Sequence, residues 1–138
     1  MPSYQSTEFN FWLLQVLCAA FLAVLFLQSG LDKVFDWKGN LGWLTGHFAK
    51  SPLRGMVPLM LATITLLEVA SGALSLAGLV ALAVTGSSTV AFWGALLSAV
   101  SLLGLFFGQR MAKDYAGAGG LVPYFLLSLV AVFVTRLR

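Results

Sequence analysis

Residues 69–109 read VASGALSLAGLVALAVTGSSTVAFWGALLSAVSLLGLFFGQ, a stretch without one charged side chain. As a single straight helix rising about 1.5 Å per residue it would reach roughly 60 Å, twice the ~30 Å hydrocarbon core of a bilayer. It therefore has to turn back on itself. The turn-rich segment within it is Thr85-Gly86-Ser87-Ser88-Thr89, where glycine supplies the reversal and the hydroxyls supply a cap for the next helix. Two shorter uncharged runs, 9–31 and 115–135, flank the long one, and each matches the ~20 residues that one crossing needs. Four crossings follow.

Working outward, the sequence predicts an all-α, integral membrane four-helix bundle, a single transmembrane domain over 1–138. Its helices are expected over 9–31, 56–84, 89–108 and 121–137. Pro58 and Pro123 fall in first turns, where a missing N–H has no helical partner to lose. The runs are continuously apolar and lack the two-residue alternation of a transmembrane β-barrel. Composition agrees: 59% of the chain is apolar and 9% is charged, against roughly a quarter charged in soluble domains. An ordinary cytosolic domain is excluded. Residues ahead of Phe9 hold Glu8 but no Lys or Arg, unlike a cleavable signal peptide, so the first helix is expected to remain as an anchor. The glycines of 117–120 read as a flexible lead-in to the last helix.

Charge placement sets an expected orientation. The segment 32–55 carries Lys33, Lys38, Lys50 and Arg54, and 109–120 carries Arg110 and Lys113; the other side has Arg136 and Arg138. Six against two favours a cytoplasmic position for both segments and periplasmic termini. The net charge of +3 is read in that way, and no basic stripe suggests nucleic acid as a partner. Within the first loop, Trp37 and Trp43 with Leu41, Leu44, Phe48 and Lys50 make an amphipathic stretch over 37–50, suited to the headgroup level. Lys113 and Asp114 are interfacial candidates on the neighbouring loop.

Helices in lipid associate through small residues and interhelical hydrogen bonds. Gly94, Ser98, Ser101, Gly104 and Gly108 share one face of the third helix by their three- and four-residue spacing, and Ser71, Gly72 and Ser75 mark the second. These stripes are expected to face each other. Ala91, Ala95 and Ala99 remain as a spare small-residue face for a neighbouring copy or subunit. One histidine, His47, and one cysteine, Cys18, provide no paired haem ligands and no metal cluster. No intrinsic cofactor is expected.

Glu68 is the one ionisable residue far from a predicted helix end. A charged carboxylate at the bilayer centre costs about 3 kcal/mol on insertion scales, so it must face the bundle and find a donor or a proton. Gln15 and Gln28 of the first helix and Ser98 and Ser101 of the third are the expected donors. Lys33 and Arg110 lie across a longer axial gap.

Several segments resemble the DoxX-like family of small four-helix inner-membrane proteins. Ser29-Gly30-Leu31-Asp32-Lys33 is similar to its Ser-Gly-x-x-Lys stretch. Leu67-Glu68 with Ser71-Gly72 and Gly78 is similar to its glutamate-and-glycine signature. The run from Gly108-Gln109-Arg110 through Lys113-Asp114-Tyr115, followed by Val122-Pro123-Tyr124, resembles a Bacteroidetes type. The family includes relatives of a membrane subunit of thiosulfate:quinone oxidoreductase. The resemblance implies a bacterial inner-membrane location and an accessory or structural role in a larger membrane assembly, quinone-linked or respiratory. Another implication is a quinone-binding oxidoreductase component, with quinone or lipid held near Lys33, Arg110 and Lys113. A third reading, a small proton-coupled transporter, comes from Glu68 itself, since an intramembrane carboxylate is the expected coupling group. The protein's partners would be membrane lipid and other membrane-protein subunits or further copies of the chain.

The orientation is open to direct measurement. Single cysteines placed at Ser87 and Lys50 should react with an impermeant thiol reagent in intact cells only at position 87; labelling at 50 alone reverses the topology.

Overall fold

In a medium without water the backbone N–H and C=O groups of a single apolar run are satisfied within an α-helix. The computed structural model describes residues 7–136 and contains no strand among them. Its helices are α1 (Thr7–Phe35), α2 (Trp37–His47), α3 (Val57–Val84), α4 (Thr89–Met111), α5 (Tyr115–Gly120) and α6 (Val122–Arg136), with a 3-10 turn at Arg54–Met56 before α3. Four segments are long and apolar enough to cross a membrane: Thr7–Phe35, Arg54–Val84, Thr89–Met111 and Tyr115–Arg136. Leu137 and Arg138 lie outside the described residues.

Three boundaries differ from the sequence reading. First, α1 continues a full turn beyond Leu31, because Asp32-Lys33-Val34-Phe35 contains no glycine or proline to stop it. The end of α4 also extends, to Met111, and closes through Lys113 in the left-handed region at φ 61°. There the Asp114 N–H reaches the Gln109 carbonyl at 2.9 Å, the closing bond of a Schellman cap. Finally, residues 117–120 are helical, not a flexible lead-in. The Asp114 carboxylate accepts the Gly117 N–H at 2.9 Å and so caps α5. The hairpin between α3 and α4 turns at Gly86, whose φ of 74° strains any residue with a Cβ.

The four long helices form a ring, α1 against α3, α3 against α4, α4 against α6, and α6 back against α1. Two crossings are close. Between α1 and α3, Gly72 faces the Leu27 backbone and Gly30 faces Val69, with no room for a methyl group at either glycine. Between α3 and α4, Gly94 meets the Ser75 backbone, Gly78 meets Ala91, and the Ser71 and Ser101 hydroxyls are 3.0 Å apart. Ala91, Ala95 and Ala99 are buried in the bundle, so that face is not spare: Ala91 fills the notch at Gly78, and Ala95 joins Leu22, Phe26 and Leu102 in the core. Gly104 is different. A Cβ there would find its nearest neighbour, Ile64 Cδ1, at 3.9 Å, so the backbones have already parted at this level.

At the end of the bundle away from α2, side chains bond to the carbonyls of other helices. Trp12 Nε1 donates to Leu82 O at 2.8 Å, Gln15 Nε2 to Val134 O at 2.9 Å, and Ser88 Oγ to Thr135 O at 2.8 Å. These bonds tie α1, α3, α4 and α6 where the chain reverses between α3 and α4.

The two kinds of glycine separate in a stability measurement. Gly78→Ala should cost about 1–3 kcal/mol, because a methyl group against the Ala91 backbone forces α3 and α4 apart. Gly104→Ala should leave the unfolding transition in detergent unchanged. Equal losses at both positions would show that the stripe packs along its whole length.

Candidate functional site

Glu68 lies eleven residues after the start of α3, roughly 17 Å along its axis at about 1.5 Å per residue, and is 2% exposed. Its partners are Ser29 and Lys33. Ser29 Oγ donates to Glu68 Oε2 at 2.6 Å, and Lys33 Nζ stands 2.8 Å from Glu68 Oε1. The lysine contact lacks the alignment of a hydrogen bond, so Oε1 is held by charge while Oε2 is held by a directed O–H. Lys33 Nζ also donates to Ser29 Oγ at 3.0 Å, and makes a long 3.5 Å contact with the Ser29 carbonyl. Its side chain is 16% exposed.

The expected donors are therefore corrected. Gln15 is spent on Val134 at the other end, and Gln28 is exposed on the outer face of α1. Ser98 bonds to its own helix at Gly94 O, and Ser101 bonds to Leu97 O and Ser71. Lys33 spans its axial gap because α1 stays helical through it and a helical side chain leans toward the N-terminus. The lean carries the ammonium back down the helix, past Ser29, to the carboxylate. Sequence reasoning named Lys33 but not Ser29, although the two are spaced i, i+4. That signal becomes visible once α1 is known to run past Leu31.

A groove of about 510 Å³ opens beside this cluster, between α2, the start of α3 and the C-terminal half of α4. Lys33, Asn40, Thr63 and Gln109 are its polar lining. Apolar walls come from residues such as Trp43, Phe48, Met60, Ile64 and Phe107, with Gly104 and Gly108 along α4. The two glycines predicted to pack α4 instead leave this space beside it. Above the groove, His47 Nε2 lies 2.8 Å from Gln109 Oε1 and 3.6 Å from Asp114 Oδ2, while the Trp43 ring stacks on His47 with centroids 4.5 Å apart. Ser51 Oγ donates to Met111 O at 3.0 Å. Together these contacts fix the first loop to the end of α4.

The other candidates stand apart. Arg110 is exposed, its guanidinium 4.5 Å from the Tyr115 ring centroid, and Lys113 is exposed at the α4 cap. Neither lines the groove, so the expected trio Lys33, Arg110 and Lys113 is not brought together. Trp37 begins α2 half-buried, and Asp114 caps α5. Ser71, Ser75, Gly72 and Gly94 lie in the helix crossings already described. Among the described residues no three His, Cys, Asp or Glu side chains stand close enough to share a metal ion.

Fold and site together define an all-α bundle with four membrane-length helices, a buried ion pair and a groove at its side. No protein-family model, curated protein or solved structure matches the chain.

The pairing makes a double-mutant prediction. Lys33→Met should cost about 3–5 kcal/mol, because it leaves a buried carboxylate without its cation. Glu68→Leu should also destabilise, whereas Glu68→Gln keeps an acceptor for Ser29 and should fold. Joining Lys33→Met to Glu68→Leu should recover most of the loss, since the pair is then removed as a unit. Thermal unfolding of the purified variants decides; additive losses would mean the two side chains act independently.

Proposed function

We propose that the protein is a DoxX-like accessory subunit of a larger bacterial inner-membrane assembly, and that it holds a membrane amphiphile, quinone or lipid, in the groove beside Lys33. The groove is the observation that carries this reading. Its volume of about 510 Å³ falls within the ~300–1,000 Å³ typical of small-molecule sites, and apolar walls with a few convergent polar groups are what such sites share. The ion pair beside it is an uncommon feature of a transmembrane helix, and intramembrane ionisable residues mark functional positions more often than not. In this reading the first loop and the α4–α5 corner face the cytoplasm, and the termini face the periplasm. A proton-coupled transporter gains less support, because Glu68 would have to leave two partners to carry a proton.

Isolation from native membranes in a mild detergent tests the proposal. Other polypeptides should co-purify stoichiometrically, and solvent extraction should release a quinone or lipid in about one-to-one ratio, the occupancy of a single groove. A lone, fully functional chain with neither would end this reading.

A further inference from the structure

We infer that the groove selects an amphiphile whose head is an uncharged hydrogen-bond acceptor, a carbonyl, and whose apolar chain lies along α4 past Gly104. The inference rests on the reading of the groove as a ligand site and adds the chemistry of what it takes.

Charge decides the head. Among the described residues Lys33 is the one charged side chain lining the groove, and its charge is already matched by Glu68 at 2.8 Å. An anionic head would bring a second negative charge beside a carboxylate that is 2% exposed, in surroundings where apolar walls screen little. The cations that would favour an anion, Lys38, Lys50 and Arg54, are exposed and outside the lining. A cationic head would meet the ammonium itself. The neutral head remains.

Donors decide that this head accepts. Lys33 has three N–H bonds; one is directed at Ser29 Oγ at 3.0 Å, a second makes the long 3.5 Å contact with the Ser29 carbonyl, and Glu68 holds the ammonium at 2.8 Å by charge without an aligned hydrogen bond. A ligand carbonyl improves on the long contact without breaking the ion pair. Two other donors of the lining are committed: Thr63 Oγ1 donates to Leu59 O at 2.9 Å and Asn40 Nδ2 to Asp36 O at 2.9 Å. Below the head, the missing side chain at Gly104 leaves a path for an alkyl chain, with Ile64 Cδ1 the nearest atom to a Cβ there.

The test uses the full chain in phosphatidylcholine nanodiscs with three probes of matched length: a long-chain methyl ketone labelled at its carbonyl carbon, the corresponding carboxylate and the parent alkane. Binding is read by native mass spectrometry and by the carbonyl carbon shift. The ketone should bind about tenfold or more tightly than either other probe, the worth of one charge-assisted hydrogen bond. Lys33→Met combined with Glu68→Gln removes the donor without leaving a net charge, and should erase the preference for ketone over alkane. Gly104→Leu should block the alkyl path and abolish binding while the unfolding transition stays in place. Preference for the carboxylate, or equal binding of ketone and alkane, overturns the head assignment but leaves a ligand groove. Ketone binding untouched by Gly104→Leu places the ligand elsewhere and overturns the inference. No binding of any probe removes the groove reading along with it.

Discussion

A carboxylate in the middle of an apolar helix has to be met from inside the protein, and meeting Glu68 organises the α1–α3 interface. Its two partners sit on α1, one turn apart, and reach it only if the helices run nearly in contact. Gly72 against Leu27 and Gly30 against Val69 provide that approach. Had either glycine carried a side chain, α1 would stand off, and Lys33 would have to leave Glu68 or drag the helix inward. Charge pairing and close packing are one design here: small residues bring the backbones together, and proximity lets the ion pair offset its own desolvation.

The same logic explains where the bundle is tight and where it opens. Toward the α3–α4 turn, Gly78, Ser75, Gly94 and Ala91 hold two backbones together, and carbonyls receive bonds from Trp12, Gln15 and Ser88. Toward the α2 end the helices diverge, and Gly104 and Gly108 contribute empty volume where a packed stripe would contribute contact. A helical bundle that is wedged at one end and fastened at the other leaves its cavity at the wedge. The His47–Gln109 contact and the stacked Trp43 hold α2 over that opening, giving the groove a roof that a bare helix pair would lack. Lys33 sits where roof, wall and ion pair meet, the position from which one side chain can both serve the fold and touch a ligand.

Much of this was legible in the chain itself. Uncharged run lengths set the number of membrane-length helices, because the rise of a helix and the thickness of a bilayer leave little choice. Gly86 marked the hairpin, and the isolation of Glu68 among apolar residues marked the site. Four-residue spacing also placed Ser71, Ser75, Gly94 and Ser101 on facing surfaces. The sequence by itself thus determined the fold class, the turn and the residue that needed a partner, each through a property local to one segment. Which side chains answer Glu68 was a tertiary decision, since it depended on α1 continuing past Leu31 and on the lean of Lys33 back along it. Whether a glycine packs or makes room was another: Gly78 and Gly104 look alike in a stripe, and only the divergence of α3 from α4 separates them. Periodicity assigns a residue to a face, but the distance from that face to its neighbour belongs to the assembled bundle.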